Sequence, residues 1–132
     1  MTKARDKAPS AAEIELIAEH AYRRIPDRLR RLVDAVVIRI EEFPDDEVIA
    51  EMELDTEYDL LGLYSGVSLD EKSYADAPQS VDMIFLYRRP ILDYWAESGD
   101  SLEDVVRHVL IHEIGHHFGL TDEEMERIEN EE

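Results

Sequence analysis

Four residues near the C-terminal end of the chain have the types and spacing needed to hydrolyse a bond with the help of a metal ion. They are His112, Glu113, His116 and Asp122, within the pattern His-Glu-x-x-His-x-x-Gly-x-x-Asp. Residues four apart on an α-helix lie on one face, so His112 and His116 can bind one ion together. Glu113 follows the first ligand directly and can reach a water activated by that ion, which is the position of a general base.

A third ligand must come from the segment after the helix. Gly119 can adopt a positive φ, which would end the helix and turn the chain so that Asp122 returns as a ligand. If that turn were one residue longer, Glu123 or Glu124 would take the place of Asp122. Three protein ligands leave the fourth tetrahedral position open to water, as in catalytic zinc sites. In a chain of this composition the extended pattern should occur by chance on the order of 10⁻⁴ times, so the signal is specific.

Several neighbouring side chains are weaker candidates for the same site. His108 lies one turn before His112 and shares its face, but three histidines spread over two turns cannot all reach one ion, which favours a supporting or packing role. His117 points about 100° away from His116 and is interpreted as a packing or surface residue. Three tyrosines could supply a phenol that stabilises an oxyanion, although core or surface roles are commoner for each of them: Tyr74, Tyr87 and Tyr94.

The motif and a stretch upstream of it resemble a known family. Residues 112–125, together with Leu86-Tyr-Arg-Arg-Pro-Ile91, look like the small single-domain zincin-type metallopeptidases of bacteria, long catalogued as a domain of unknown function. The likeness covers most of the chain after about residue 10. It implies a minimal zincin fold and a metal-dependent peptidase activity, with His112, His116 and Asp122 as ligands and Glu113 as the base. It implies no particular substrate.

The same extended motif also resembles metzincins that use Asp in place of a third His. Metzincins place a methionine turn well downstream, under the metal, whereas only ten residues follow Asp122 here. Met125 is too close to the motif to make that long excursion. We therefore expect no standard metzincin C-terminal subdomain.

Composition limits the class of protein. A chain of 132 residues is expected to form one domain with one core. It has no apolar run near the ~18 residues that span a bilayer and no apolar secretory segment at its N-terminus, so we expect a cytoplasmic location and no membrane partner. Without cysteine, any metal must be held by His and carboxylates. Zinc is the expected ion, although two imidazoles and a carboxylate also suit iron or manganese.

The net charge limits the partners. The charge of −19 arises from 33 acidic and 14 basic residues, and it disfavours binding to a phosphate backbone. We therefore expect a peptide or protein substrate and no nucleic acid. The acidic residues from Asp122 onward are interpreted as a solubilising end. A group of arginines is interpreted as a solvated helix face rather than a docking patch: Arg23, Arg24, Arg28, Arg30 and Arg31.

Local patterns predict the elements that position the motif. Ser10 with Glu13 forms a capping box for a helix at about 11–24, and Ser101 caps the motif helix, whose apolar residues cover a wide arc that indicates deep burial. β-branched and apolar runs predict strands at 36–43 and 81–87. Further predictions are helices at about 26–33, 45–53 and 91–96 and an irregular strand with a turn within 58–66.

These elements predict an α+β protein with a minimal zincin-like fold. A small sheet of three to four strands would pack on N-terminal helices and on the buried motif helix at the C-terminal end. Residues 10–132 would form this single domain, and residues 1–9, which show no periodicity, would form a disordered tail. In zincins generally, an edge strand across the cleft receives extended substrate. The resemblance favours the strand at 82–88 for that role, although a buried central strand that only supports the helix fits about equally well.

Two other functions compete with a peptidase. A compact chain that ends soon after its ligands also fits a non-catalytic, zinc-stabilised protein that binds a partner. A metal-dependent ribonuclease is a further alternative, because a family of short RNA-processing enzymes carries a related His-x-x-x-His helix. That family has Gly where this chain has Glu113, and both Asp122 and the net charge also count against it.

Overall fold

A computed structural model describes residues 8–33, 35–66 and 82–131. Within these ranges the chain forms six helices and three strands, which confirms the α+β class and the small sheet. In chain order they are α1 (Ala11–Arg23), α2 (Asp27–Arg30), β1 (Val36–Glu41), α3 (Asp46–Glu51), β2 (Gly62–Ser65), β3 (Asp82–Tyr87), α4 (Arg88–Ser98), α5 (Leu102–His117) and α6 (Asp122–Glu129).

The three-stranded sheet has the order β1-β3-β2. β1 runs parallel to β3 and β2 runs antiparallel to it, so both sides of β3 are paired. The expectation that residues 82–88 form the substrate edge is therefore wrong, since this strand is central. Its continuous apolar run, with Ile84 and Leu86 fully buried, is typical of a strand that is covered on both faces. In the described part of the chain, the edges of the sheet are β1 and β2.

The predicted helix starts are confirmed by their caps. The hydroxyl of Ser10 accepts from the N–H of Glu13 at 3.1 Å, and the carboxylate of Glu13 accepts from the N–H of Ser10 at 2.7 Å. Ser101 caps α5 by accepting from the N–H of Asp104 at 3.0 Å. α4 is longer than predicted because it begins directly after β3. Pro90 fits its first turn, where an N–H has no partner within the helix.

The motif helix α5 lies at the centre of the core. Its apolar residues are buried as predicted: Val105, Val106, Val109, Leu110, Ile111 and Ile114. α1 packs along α5, and β2 crosses it on another side. Gly62 allows that crossing, because a Cβ there would lie 2.7 Å from Cγ1 of Val109 and 3.0 Å from the carbonyl oxygen of Phe85. The residues that carry the motif are thus fixed to the most buried element of the fold.

The C-terminal helix α6 was not predicted. Its acidic residues had indicated only a solubilising end, but Met125 and Ile128 are buried against the core. The sequence did contain two signals, a Thr121-x-x-Glu124 capping box and the three-residue spacing of the two apolar residues. Gly115 of α5 makes room for the contact, since a Cβ at that position would overlap the side chain of Met125.

The remaining predictions concern the surface and the N-terminal tail. Arg24, Arg28 and Arg30 form ion pairs with Glu103, Glu131 and Asp27 respectively, as expected for a solvated face. None of the described helices has the length and apolar character needed to cross a membrane. Of the predicted tail, residues 1–7 lie outside the described residues. Pro9 is buried, and its carbonyl accepts from Nε of Arg88 at 2.8 Å.

Candidate metal centre

The two histidines of the motif lie one turn apart on the same face of α5. Their ring centroids are 5.9 Å apart, and the ring planes are inclined at 78°. The side chain of His112 is 24% exposed, whereas that of His116 is 58% exposed. The first histidine is therefore enclosed by neighbouring elements and the second faces solvent.

Glu113 lies half-buried between α5 and β2. Its Oε1 accepts a hydrogen bond from the backbone N–H of Tyr64 at 3.2 Å. Because that N–H is donated to Glu113 and not to β3, the carboxylate lies at the edge of β2 that faces away from β3. Burial raises the pKa of Glu113 above its usual value, while the Tyr64 N–H and the nearby His116 act in the opposite direction. The chain thus holds a half-buried carboxylate between its motif helix and an edge strand.

The predicted turn after the helix is present. Gly119 has a φ of +79°, and the N–H of Leu120 donates to the carbonyl of Gly115 at 2.8 Å, which closes the end of the helix. The chain then returns so that Oδ1 of Asp122 is 4.0 Å from Nε2 of His116. Two ligands of a tetrahedral zinc ion are about 3.4 Å apart, so a small movement would suffice for these two atoms to bind one ion. The Asp122 side chain is 95% exposed.

A residue that the sequence did not indicate binds the first histidine. Nε2 of His112 is 3.1 Å from Oε1 of Glu129 on α6, and Nδ1 of His108 is 2.6 Å from Oε2 of the same carboxylate. The rings of His108 and His112 pack with centroids 4.0 Å apart. Among the described residues, His108, His112 and Glu129 are the only three with metal-binding side chains whose ligand atoms all lie within 4.8 Å of one another.

The structure therefore divides the predicted ligands. His116 and Asp122, at the start of α6, lie close together, whereas the ring of His112 is directed to Glu129 at the end of α6. Glu129 was missed because the helix that carries it was missed. Once α6 is known, Glu129 lies one turn beyond Met125, which packs against α5, and this spacing directs it to the same side of α6.

Comparison with known proteins decides the family. A model of the zincin-like metallopeptidase family matches residues 33–132, which include all three strands and the complete motif. The chain belongs to the zincin-like metallopeptidase family. A search among curated proteins gave no match.

Zincins bind zinc, and the donor set of this zincin-like chain suits that ion. Two imidazoles on one helix face, with carboxylates on the following helix, are the nitrogen and oxygen ligands from which three-ligand zinc sites are built. The set His112, His116 and Asp122 stays the predicted ligand set. Glu124, an alternative third ligand, accepts from the N–H of Thr121 at 2.8 Å. Its pKa is lowered by the hydrogen bonds from Thr121, so its carboxylate serves the cap of α6. Glu123, the other alternative, is exposed.

The structure describes two of the three tyrosines proposed for oxyanion stabilisation, and these two lie in different environments. Tyr74 lies outside the described residues. Tyr87 is buried, and its burial raises the pKa of its phenol to about 12. Tyr94 is exposed and lines a cavity of about 490 Å³ together with His108 and Glu129. Of the two that the structure describes, Tyr94 is the one that shares a cavity with these two side chains.

His117 is exposed and packs on β2, which agrees with its interpretation as a packing or surface residue. Its ring stacks on that of Tyr64 with centroids 4.0 Å apart. The phenol of Tyr64 donates to the carboxylate of Asp82, and burial is the main cause of its raised pKa. These contacts fix the edge strand whose N–H binds Glu113.

Proposed function

We propose that this zincin-like metallopeptidase is an active zinc-dependent peptidase. His112, His116 and Asp122 would hold the ion, and Glu113 would act as the general base. The observation that carries the proposal is the position of Glu113, which lies next to His112 in the chain and is fixed by the N–H of Tyr64 at the edge of β2. A carboxylate in this place is close to both the ligand face and a strand edge that can bind peptide.

Zinc and Glu113 would have separate roles in the reaction. Zinc, when bound, supplies a Lewis acid that polarises a carbonyl and makes water nucleophilic near neutral pH. Oε1 of Glu113 accepts the hydrogen bond from Tyr64, so we assign proton transfer to Oε2. Glu113 takes the proton of the attacking water and then delivers it to the leaving amine. Its half-buried position favours holding that proton between the two steps.

The edge of β2 offers the place for the substrate. In the described part of the chain no strand pairs with the side of β2 that faces away from β3. The N–H of Tyr64 is donated to Glu113, so an extended peptide that adds to this edge would bind the remaining outward-facing backbone groups, and its side chains would meet the neighbouring surface. A peptide or protein substrate is therefore favoured over a nucleic acid, in keeping with the net charge of −19.

The test is cleavage of a peptide library by the purified chain, with zinc and after treatment with a chelator. We expect cleavage only with the metal. Glu113→Gln should retain zinc and lower kcat by about 10²- to 10⁴-fold, the usual contribution of a general base. His116→Ala should weaken zinc binding itself. Glu47→Gln, at an exposed position on α3, is the matched control and should match the unmodified protein.

Full activity of Glu113→Gln would remove this residue from the mechanism. Absence of cleavage across a broad library, with zinc bound, would favour instead the non-catalytic protein whose zinc stabilises the fold. Measuring zinc content and cleavage on the same sample separates these outcomes.

A further inference from the structure

Helices α5 and α6 hold a second set of metal-binding side chains, on the side of His112 away from His116 along the helix. We propose that His108, His112 and Glu129 form a second zinc position, which competes with His116 and Asp122 for His112. The existence of this position does not depend on peptidase activity. Its effect on catalysis rests on the function proposed above.

The distances fit a single ion. Nε2 of His112 and Nδ1 of His108 are 3.1 and 2.6 Å from the two oxygens of Glu129, and all three ligand atoms lie within 4.8 Å of one another. Ligands of a tetrahedral zinc ion are about 3.4 Å apart, so the side chains need to open only slightly. Two imidazoles and one carboxylate also form one of the three-ligand sets found in catalytic zinc sites.

Neighbouring residues hold these side chains in place. Met125 and Ile128 anchor α6 in the core, and Nη1 of Arg107 donates to the carbonyl oxygen of Glu129 at 3.1 Å. Glu129 is thus held against α5 by the packing of α6 and by a hydrogen bond to its backbone. His108 and Glu129 line the cavity of about 490 Å³, through which an ion and its water can enter.

The two positions exclude each other because both require the same atom. One ring nitrogen binds one ion, and Nε2 of His112 is the atom directed at Glu129. Glu113 is tied to β2 through the N–H of Tyr64, whereas an ion shared with His108 and Glu129 would lie one turn towards the N-terminus of α5. An ion drawn to Glu129 is therefore held apart from the base. The second position would store zinc in an inactive form.

The test removes the catalytic ligands and asks whether zinc remains. The chelator-treated full chain is titrated with zinc by calorimetry, and metal content is measured after gel filtration. The double variant with His116→Ala and Asp122→Asn should still bind one zinc ion per chain. Adding either His108→Ala or Glu129→Gln should weaken that binding by more than about 100-fold, since even outer partners of a ligand account for 10- to 100-fold.

His20→Ala in the same double variant is the matched control. His20 is also a helix histidine bound to a carboxylate, with Nδ1 2.9 Å from Oε1 of Glu103, but it lacks a second histidine. This change should leave zinc binding as it was. Circular dichroism of each variant confirms that the fold is retained, and two independent substitutions, at 108 and 129, protect against failure of one variant to fold.

Two results would overturn the proposal. One is a folded double variant that binds no zinc, and the other is a double variant that keeps its zinc when His108 and Glu129 are both replaced. Both results concern metal retention only. They are distinguishable from failure of the proposed function, which is measured as peptide cleavage by the unmodified chain carrying zinc.

Discussion

The first half of the motif is enclosed and the second half is exposed. His112 and Glu113 are contacted by α6 and β2, through Glu129 and the N–H of Tyr64. His116 and Asp122 lie at the surface, with side chains 58% and 95% exposed. A single continuous sequence pattern therefore contains one pair of residues whose side chains are held by neighbouring elements and one pair whose side chains are exposed.

This difference shows which contacts make the candidate site rigid. Packing around α5 orients Glu113, the proposed base, before any ligand is bound, and a fixed orientation of this kind is what catalysis requires. Asp122 is instead the first residue of α6, and it is positioned by the turn at Gly119 and the cap at Thr121. Changes on the enclosed side should therefore act on stability and on the base, and changes on the exposed side mainly on metal affinity.

The largest effect is expected from the buried face of the motif helix. Ile114 is fully buried between Glu113 and His116 in sequence, and Ile114→Ala should lower the free energy of unfolding by about 2–5 kcal/mol. Chemical denaturation followed by circular dichroism measures this loss. Leu16→Ala is the control, because Leu16 is 67% exposed and its loss should change stability by no more than about 0.5 kcal/mol. Equal losses in the two variants would refute the burial of this face.

A smaller effect is expected where β2 crosses α5. Gly62→Ala adds a Cβ that would meet Val109 and the backbone of Phe85, and it should lower the free energy of unfolding by about 1–3 kcal/mol. Because displacement of β2 also moves the Tyr64 N–H away from Glu113, kcat should fall as well. Ser65→Ala, in the same strand, serves as the control. If Gly62→Ala retained full stability and activity, β2 would not position the base.

The smallest effect is expected on the exposed side. Thr121→Ala removes the cap of α6, which should lower the free energy of unfolding by about 1 kcal/mol and weaken zinc binding by loosening Asp122. Thr121→Ser keeps the hydroxyl and is the matched control. Denaturation and zinc titration of the two variants measure the difference. Unchanged zinc affinity in Thr121→Ala would argue against Asp122 as a ligand.

Much of the fold follows from local sequence patterns. The caps at Ser10 and Ser101, the apolar arc of α5 and the turn at Gly119 depend on residues close together in the chain, and these were predicted. The order of the strands was not, because pairing between β1 and β3 joins residues more than forty positions apart. The apolar run of β3 does not indicate which strands will pair with it.

The geometry of the candidate site could likewise be predicted only in part. Spacing placed His112 and His116 on one face of a helix, but the direction of a ring depends on its contacts. The carboxylate of Glu129 reaches His112 only because Met125 and Ile128 fold α6 back onto α5. Because that segment is mostly acidic, its two apolar residues, Met125 and Ile128, were not recognised as core residues.

The most direct test is a crystal structure of the zinc-loaded protein with anomalous diffraction measured at the zinc edge. The account predicts one ion bound by Nε2 of His112, Nε2 of His116 and a carboxylate oxygen of Asp122, with a fourth position open to solvent. An ion on His112 and His116 that a fourth protein ligand encloses would contradict it, and so would zinc bound neither there nor at His108, His112 and Glu129.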